Sequence, residues 1–204
     1  MDIFLDTCII IANFDEKDKF YLLAKRFISK NKSFIISIYQ EKKELPYFFF
    51  RKDKILSEAI KFSAYSSYSI DTKDLRPKDE LNLKKIIAQI KAGSLMQSEL
   101  LIWKREIYLL RQKINYFIRN NISRRVTPLE KIDSNLVNLL NSLINNKADC
   151  YILASAIQES KQIKLIIITT DKGDWNRERI VEIIKQTSYK EVPEIKYLQD
   201  MFRE

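Results

Sequence analysis

The chain has 204 residues, of which 36 are lysine or arginine and 27 are aspartate or glutamate, so its formal net charge is +9. It contains no histidine, which excludes a Ser-His-Asp or Cys-His catalytic mechanism and a histidine-ligated zinc site. Gly93 and Gly173 are its two glycines, and two are too few for a glycine-rich phosphate-binding loop.

Short apolar segments alternate with helical patterns along the chain. The predicted strands are residues 3–5, 34–36, 165–168 and 195–197. Ser37 and Gln40 form a capping-box pattern, which predicts that a helix containing Glu41 begins after the second strand. Buried apolar strands that alternate with helices indicate an α/β fold in which helices cover both faces of a central, mostly parallel sheet.

The most periodic stretch of the chain is 96–117. Its apolar residues recur at alternating intervals of four and three, at Met96, Leu100, Trp103, Ile107, Leu110, Ile114 and Phe117. This heptad spacing predicts a helix whose seam packs against another helix. The partner is either the preceding predicted helix at 81–90 or the same helix of a second copy, which would form a homodimer. Three heptads are the lower limit for a coiled coil, so the hairpin within one chain is favoured.

Positive charge is concentrated in and after this helix. Between Lys104 and Arg125, seven basic residues and one acid contribute a net +6 of the total +9. Such an excess predicts a polyanionic partner, nucleic acid before an anionic membrane surface. The residues expected to contact phosphates are Lys104, Arg105, Arg111, Arg119, Arg124 and Arg125. A solvated surface without a ligand is the alternative interpretation.

The cysteines and the N-terminal segment bear on the compartment. Cys8 and Cys150 are too few for a disulfide scaffold and fit a reducing cytosol. Asp6 interrupts the first apolar stretch, and no basic segment precedes it, so a signal peptide is not predicted. No run approaches the roughly 20 apolar residues that a membrane span needs. We therefore expect a cytoplasmic protein that does not act at a membrane.

Acidic residues lie where parallel sheets bind ligands, beyond the carboxyl ends of strands. Asp6 and Asp171 each follow a predicted strand, Asp149 begins the helix before the strand at 165–168, and Glu41 follows the second strand. Two carboxylates about 4 Å apart repel by roughly 4 kcal/mol at an effective dielectric constant of 20. A cluster of them therefore implies raised pKa values or a divalent cation, and oxygen ligands favour Mg²⁺ or Mn²⁺.

Three short motifs occur in order along the chain. They are Asp6-Thr7, Asp149-x-x-Ile152-x-Ala154-x-Ala156 and Thr169-x-Asp171-x-x-Asp174-Trp175. Together they resemble the motifs of PIN-domain nucleases, over residues 1–50 and 145–204. The resemblance implies a PIN-like α/β/α sandwich and activity as a Mg²⁺- or Mn²⁺-dependent ribonuclease, a class that includes the toxins of toxin–antitoxin pairs.

The resemblance also implies roles for individual residues. The implied catalytic and metal-binding residues are Asp6, Glu41, Asp149 and Asp171, with Asp174 as a further metal ligand. In the family the second acid follows a strand and a serine, as Glu41 follows Ser37, and Glu44 is the alternative. Thr169 is expected to form hydrogen bonds near the site, and Thr7 to do the same beside the first acid.

The middle of the chain departs from the family pattern. Glu41 and Asp149 are 108 positions apart, more than in the compact toxins. We therefore expect one PIN-like domain over residues 1–204, with a helical, basic insertion at about 77–125. The expected function is endonucleolytic hydrolysis of RNA in preference to DNA, with an inhibitor or antitoxin protein as a further partner. The alternatives are a structure-specific DNA nuclease and an inactive PIN-like module that binds nucleic acid or serves as a scaffold.

Overall fold

The computed structural model describes residues 2–65, 67–189 and 193–202. These residues form five strands and eight α-helices. The strands are β1 (Asp2–Leu5), β2 (Phe34–Ser37), β3 (Ile122–Val126), β4 (Leu165–Thr169) and β5 (Glu194–Tyr197). The helices are α1 (Thr7–Ala12), α2 (Tyr21–Lys30), α3 (Leu45–Ala64), α4 (Pro77–Lys91), α5 (Gln97–Asn121), α6 (Ser134–Asn141), α7 (Lys147–Ser160) and α8 (Arg177–Lys185). A π-helical turn spans Gln40–Glu44, and a 3₁₀ turn spans Leu129–Lys131.

The chain divides into two compact units. The first consists of Met1–Glu44 and Ile114–Glu204, and the second consists of Leu45–Lys113. The second unit therefore begins before residue 77 and ends before residue 125, the predicted bounds of the insertion. The boundary lies inside α5, because the last residues of that helix belong to the first unit.

The first unit is built around a parallel five-stranded sheet with the strand order β3-β2-β1-β4-β5. Phe4 of β1 is paired with Ile35 of β2 and Ile167 of β4, so these side chains share one face of the sheet, where they pack in a core with α6, α7 and α8. Phe34 contacts Phe27 of α2 and Phe117 of α5 in a separate aromatic group. The predicted α/β fold is confirmed, and the arrangement is compatible with an α/β/α sandwich.

Strand β3 overlaps the end of the segment predicted to be helical, so that prediction is wrong for residues 122–125. The strand is at the edge of the sheet. Ile122 and Val126 are its buried residues, whereas the residues between them are polar and largely exposed. Charged residues on an edge strand prevent pairing with other chains, and in β3 they also interrupt the continuous apolar run that marks β1, β2 and β4.

The strand order reverses between β1 and β4. From β1 the chain moves outward through β2 to β3, and it then crosses back to place β4 on the other side of β1. In open parallel sheets, ligands bind outside the carboxyl ends of the strands at such a point. Leu5 is paired with Ile168, so the residues that follow the two strands lie side by side.

The second unit contains α3, α4 and most of α5, packed around a core of their own. This core combines Leu56 and Ala59 of α3, Leu83 and Ile87 of α4, and Leu100 of α5. Pro77 is the first residue of α4, a position that suits proline because the first N–H of a helix has no partner within it. The helix ends before Gly93, whose φ of 70° favours glycine.

The heptad seam of α5 is buried within the chain. Leu100 lies in the core of the second unit, with Trp103 and Ile107 packed against it. Ile114 and Phe117 are buried in the first unit. The first position of the predicted seam is wrong, because Met96 is 66% exposed and precedes the helix. The exposed apolar residues of α5 are Leu101, Ile102, Tyr108, Leu109 and Tyr116.

Candidate metal site

Asp6 is a buried acid between the end of β1 and the start of α1. Its side chain is 4% exposed. Its Oδ2 accepts hydrogen bonds from Thr169 Oγ1 at 2.7 Å and from the Cys8 thiol at 2.8 Å. Burial raises the pKa of Asp6 above its ordinary value, although both hydrogen bonds act in the opposite direction, and the charge of Asp171 adds to the rise. The ionised form of this acid would therefore be stabilised by nearby positive charge.

Thr169 connects Asp6 to the loop after β4. Its fully buried hydroxyl donates to Asp6 and accepts a hydrogen bond from the backbone N–H of Asp171 at 3.0 Å. A hydroxyl has one proton to donate, so these two contacts fix its orientation. The hydrogen bonding predicted for Thr169 is confirmed.

Asp149 lies in the first turn of α7, three positions after Asn146, the residue that caps this helix. Asn146 accepts a hydrogen bond from the N–H of Ala148, and its amide nitrogen donates to Asp149 Oδ2 at 2.9 Å. Asp149 is 9% exposed. Burial, followed by the charges of Asp6 and Glu44, raises the pKa of Asp149 to about 8. Without a cation, this carboxyl group therefore keeps its proton to a higher pH than an ordinary aspartate does.

Asp171 and Asp174 complete the cluster from the loop after β4. Asp171 Oδ1 accepts hydrogen bonds from the N–H groups of Gly173 at 2.9 Å and Asp174 at 3.0 Å. Burial and the charge of Asp171 raise the pKa of Asp174. Asp149, Asp171 and Asp174 each offer an oxygen, and these three atoms all lie within 4.8 Å of one another. The loop and the first turn of α7 therefore bring three carboxylates to a spacing at which they could share one cation.

The two glutamates that follow β2 have different partners. Glu41 Oε2 accepts a hydrogen bond from Arg125 Nε at 2.8 Å and forms an ion pair with it. Glu44 accepts a hydrogen bond from the Thr7 hydroxyl, and its charge contributes to the raised pKa of Asp149. The contacts therefore favour Glu44, the alternative from the sequence, over Glu41 as the acid of this segment that joins the cluster.

The choice between these glutamates depends on a local feature that the sequence pattern did not reveal. Both residues lie in the π-helical turn Gln40–Glu44. Such turns have more residues per turn than an α-helix and are frequent at functional sites. The position of Glu44 therefore cannot be obtained by counting residues from Ser37 along a regular α-helix.

The thiols near the cluster remain protonated. Burial and the charge of Asp6 raise the pKa of the Cys8 thiol well above its ordinary value. Burial raises the pKa of Cys150 to about 11. The ligand set that the described residues offer to a cation is therefore made of carboxylate oxygens, which suits Mg²⁺ or Mn²⁺.

The predicted phosphate-binding residues fall into two groups. Lys104 is paired with Asp53, and Arg124 is paired with Glu159 at 2.9 Å. Arg125 is paired with Glu41, as described above. By contrast, the other three residues are exposed on α5, namely Arg105, Arg111 and Arg119.

None of the described helices has the length and apolar composition that a membrane-spanning segment requires. Neither models of protein families, nor curated proteins, nor solved structures gave a match to this chain.

Proposed function

We propose that this chain is a PIN-like nuclease that hydrolyses phosphodiester bonds, preferentially in RNA, with the help of Mg²⁺ or Mn²⁺. The observation that carries the proposal is the convergence of acids from four segments near Asp149, whose pKa is raised to about 8. Buried acids that repel one another lower the stability of a fold unless a cation or a proton compensates. Perturbed acids of this kind cluster at functional sites.

The residues of the cluster fit a hard divalent cation. Asp149, Asp171 and Asp174 would hold the ion, since their oxygens lie within 4.8 Å of one another. Asp6 and Glu44 would add negative charge close by, because their charges affect the pKa of Asp149. When bound, such an ion supplies Lewis acidity, which activates water and neutralises charge on a phosphate.

The surrounding residues orient these acids through hydrogen bonds. The Thr169 hydroxyl holds Asp6 Oδ2, and the Asn146 amide holds Asp149 Oδ2. A proton held by Asp149 must leave before its carboxylate binds a cation. This chemistry uses carboxylates alone, which agrees with the absence of histidine from the sequence.

The net charge supports a nucleic-acid substrate. A chain with a formal charge of +9 attracts phosphodiester backbones. Arg105, Arg111 and Arg119 are exposed on α5 and would contact phosphates. The preference for RNA over DNA follows from the resemblance to PIN-domain ribonucleases and is part of the proposal.

The test compares cleavage of labelled single-stranded RNA with cleavage of flap and duplex DNA, in Mn²⁺ and in EDTA. We expect RNA cleavage in Mn²⁺ that is lost in Asp149→Asn and Asp6→Asn. Glu130→Gln is the control, since it removes an exposed acid outside the cluster. Preferred cleavage of DNA would support the structure-specific nuclease. Failure to cleave any substrate, together with failure to bind Mn²⁺ in titration, would support the inactive module.

A further inference from the structure

A buried hydrogen-bond network lies beside the acid cluster, between the ends of β1 and β2. Ser37 and Gln40 are both fully buried. The N–H of Ser37 donates to Gln40 Oε1 at 2.8 Å, and Ser37 Oγ accepts from the N–H of Gln40 at 3.1 Å. This reciprocal pair is the capping box that the sequence predicted. It uses the oxygen of the Gln40 side chain and leaves its amide nitrogen for other partners.

The amide nitrogen of Gln40 reaches across to β1 and the start of α1. Gln40 Nε2 donates to the carbonyl oxygen of Leu5 at 2.8 Å and to Thr7 Oγ1 at 3.1 Å. The orientation of this amide is fixed, because a backbone N–H can only donate and a carbonyl oxygen can only accept. Both protons of Nε2 are therefore used.

The direction of the next hydrogen bond follows from this arrangement. Thr7 Oγ1 accepts from Gln40 and has one proton of its own to donate. That proton is directed to Glu44, whose Oε2 is the other partner of the hydroxyl. A fully buried amide thus directs, through one hydroxyl, a hydrogen bond to the carboxylate of Glu44.

We propose that Gln40 and Thr7 are positioning residues that hold Glu44 at the cation site. This inference rests on the proposed function, because it assigns Glu44 to the metal ligand environment. Residues that orient metal ligands through hydrogen bonds typically change metal affinity or activity by about 10- to 100-fold when they are substituted. A network with a purely structural role would change stability and leave the affinity of the folded protein for Mn²⁺ unchanged.

The experiment measures the Kd for Mn²⁺ by calorimetry on the full chain, at a temperature where each variant is folded. Gln40→Met removes both donors and keeps the length of the side chain, and Thr7→Val removes the hydroxyl. We expect each to weaken Mn²⁺ binding about 10-fold or more. Thr7→Ser keeps the hydroxyl and should bind Mn²⁺ as the wild type does.

A matched control separates loss of positioning from loss of a buried hydrogen bond. Ser155 is fully buried in α7 of the same unit, and its hydroxyl donates to the Tyr151 carbonyl at 2.8 Å. Ser155→Ala should lower stability without changing the Kd for Mn²⁺. If Gln40→Met does not fold, Thr7→Val and Thr7→Ser carry the same comparison, because they change a single hydroxyl.

A double-mutant cycle tests whether the effect passes through Glu44. Adding Gln40→Met to Glu44→Gln should cause no further loss of Mn²⁺ affinity, because the residue being positioned has already lost its charge. Additive losses, or an unchanged Kd in Gln40→Met and Thr7→Val, would overturn the inference. A wild-type chain that binds no Mn²⁺ would instead overturn the proposed function itself, and the inference with it.

Discussion

The Thr169 hydroxyl donates a hydrogen bond to Asp6 Oδ2 at 2.7 Å, although the two residues are 163 positions apart in the sequence. Each residue lies at the carboxyl end of its strand, and β1 and β4 are neighbours in the sheet. The contact therefore joins the first acid to the loop that carries Asp171 and Asp174. It depends on the strand order, because these ends would not meet if another strand lay between them.

Replacing the Thr169 hydroxyl should destabilise the protein and loosen the site. Thr169→Val leaves Asp6 without one of its donors and the N–H of Asp171 without its acceptor. A buried polar group without a partner costs about 1–3 kcal/mol, so we expect a loss of that size in urea unfolding. Thr169→Ser, which keeps the hydroxyl, is the control. Equal stability of the two variants would show that the contact contributes little.

Divalent cations should raise the melting temperature of the wild type. Ligand that binds only the folded state at 100 times its Kd stabilises that state by about 2.7 kcal/mol. For a chain of this size, each kcal/mol corresponds to about 2–4 °C, so we expect a rise of roughly 5–10 °C in Mn²⁺. Potassium chloride at equal ionic strength controls for screening. The rise should be absent from Asp149→Asn combined with Asp171→Asn, and an equal rise in that variant would contradict the site.

Without metal, stability should fall as the pH rises. The pKa of Asp149 is raised from 3.8 to about 8 on folding, so the folded state binds this proton more tightly than the unfolded state does. Its contribution is complete below about pH 4 and is lost as the pH approaches 8. Each unit of pKa shift is worth about 1.4 kcal/mol, and the loss should be on the order of a few kcal/mol. The measurement is urea unfolding in EDTA across this range.

The variant Asp149→Asn isolates this titration. An amide does not ionise, so the fall in stability between pH 4 and pH 8 should be smaller in the variant than in the wild type. Burial also raises the pKa of Asp6, which leaves part of the pH dependence in place. Parallel curves for the two proteins would mean that Asp149 titrates at its ordinary pKa.

The sequence predicted the parts of the fold that depend on apolar patterns. The strands β1, β2 and β4 contain continuous apolar runs, because both faces of a parallel sheet are covered, whereas β5 alternates charged and apolar residues. Strand β3 was missed, since its three central residues are polar and its buried apolar residues are Ile122 and Val126 alone. Asp6 and Asp171 were placed correctly at strand ends, because a side chain directly after a strand has little freedom in position.

The acid that follows β2 shows what the sequence pattern did not determine. Glu41 and Glu44 lie in the same short segment and have the same chemistry, so local composition does not separate them. Their difference arises from tertiary contacts, since Arg125 of β3 binds one and Thr7 of α1 binds the other. The sequence pattern placed Arg125 in the helical insertion, so this pairing could not be anticipated.

The two glutamates should therefore respond differently to the same substitution. Glu44→Gln should weaken Mn²⁺ binding, because it removes negative charge near Asp149. Glu41→Gln should leave Mn²⁺ affinity unchanged and lower stability by at most about 1 kcal/mol, since it breaks a partly exposed ion pair. Calorimetric titration of both variants checks the first expectation and urea unfolding the second. Weaker Mn²⁺ binding in Glu41→Gln alone would restore Glu41 as the metal ligand.

The exposed and the paired arginines should also differ in their effect on RNA binding. Changing Arg105, Arg111 and Arg119 to glutamine together should weaken binding and reduce the slope of log Kd against log salt by up to about 2, since each contact to single-stranded RNA contributes about 0.7. Arg124→Gln should mainly lower stability, because this residue is paired with Glu159. Fluorescence anisotropy with Asp149→Asn as the background avoids cleavage during the titration. If the triple variant keeps the wild-type slope, RNA phosphates contact another surface, and these arginines keep the protein soluble without binding the substrate.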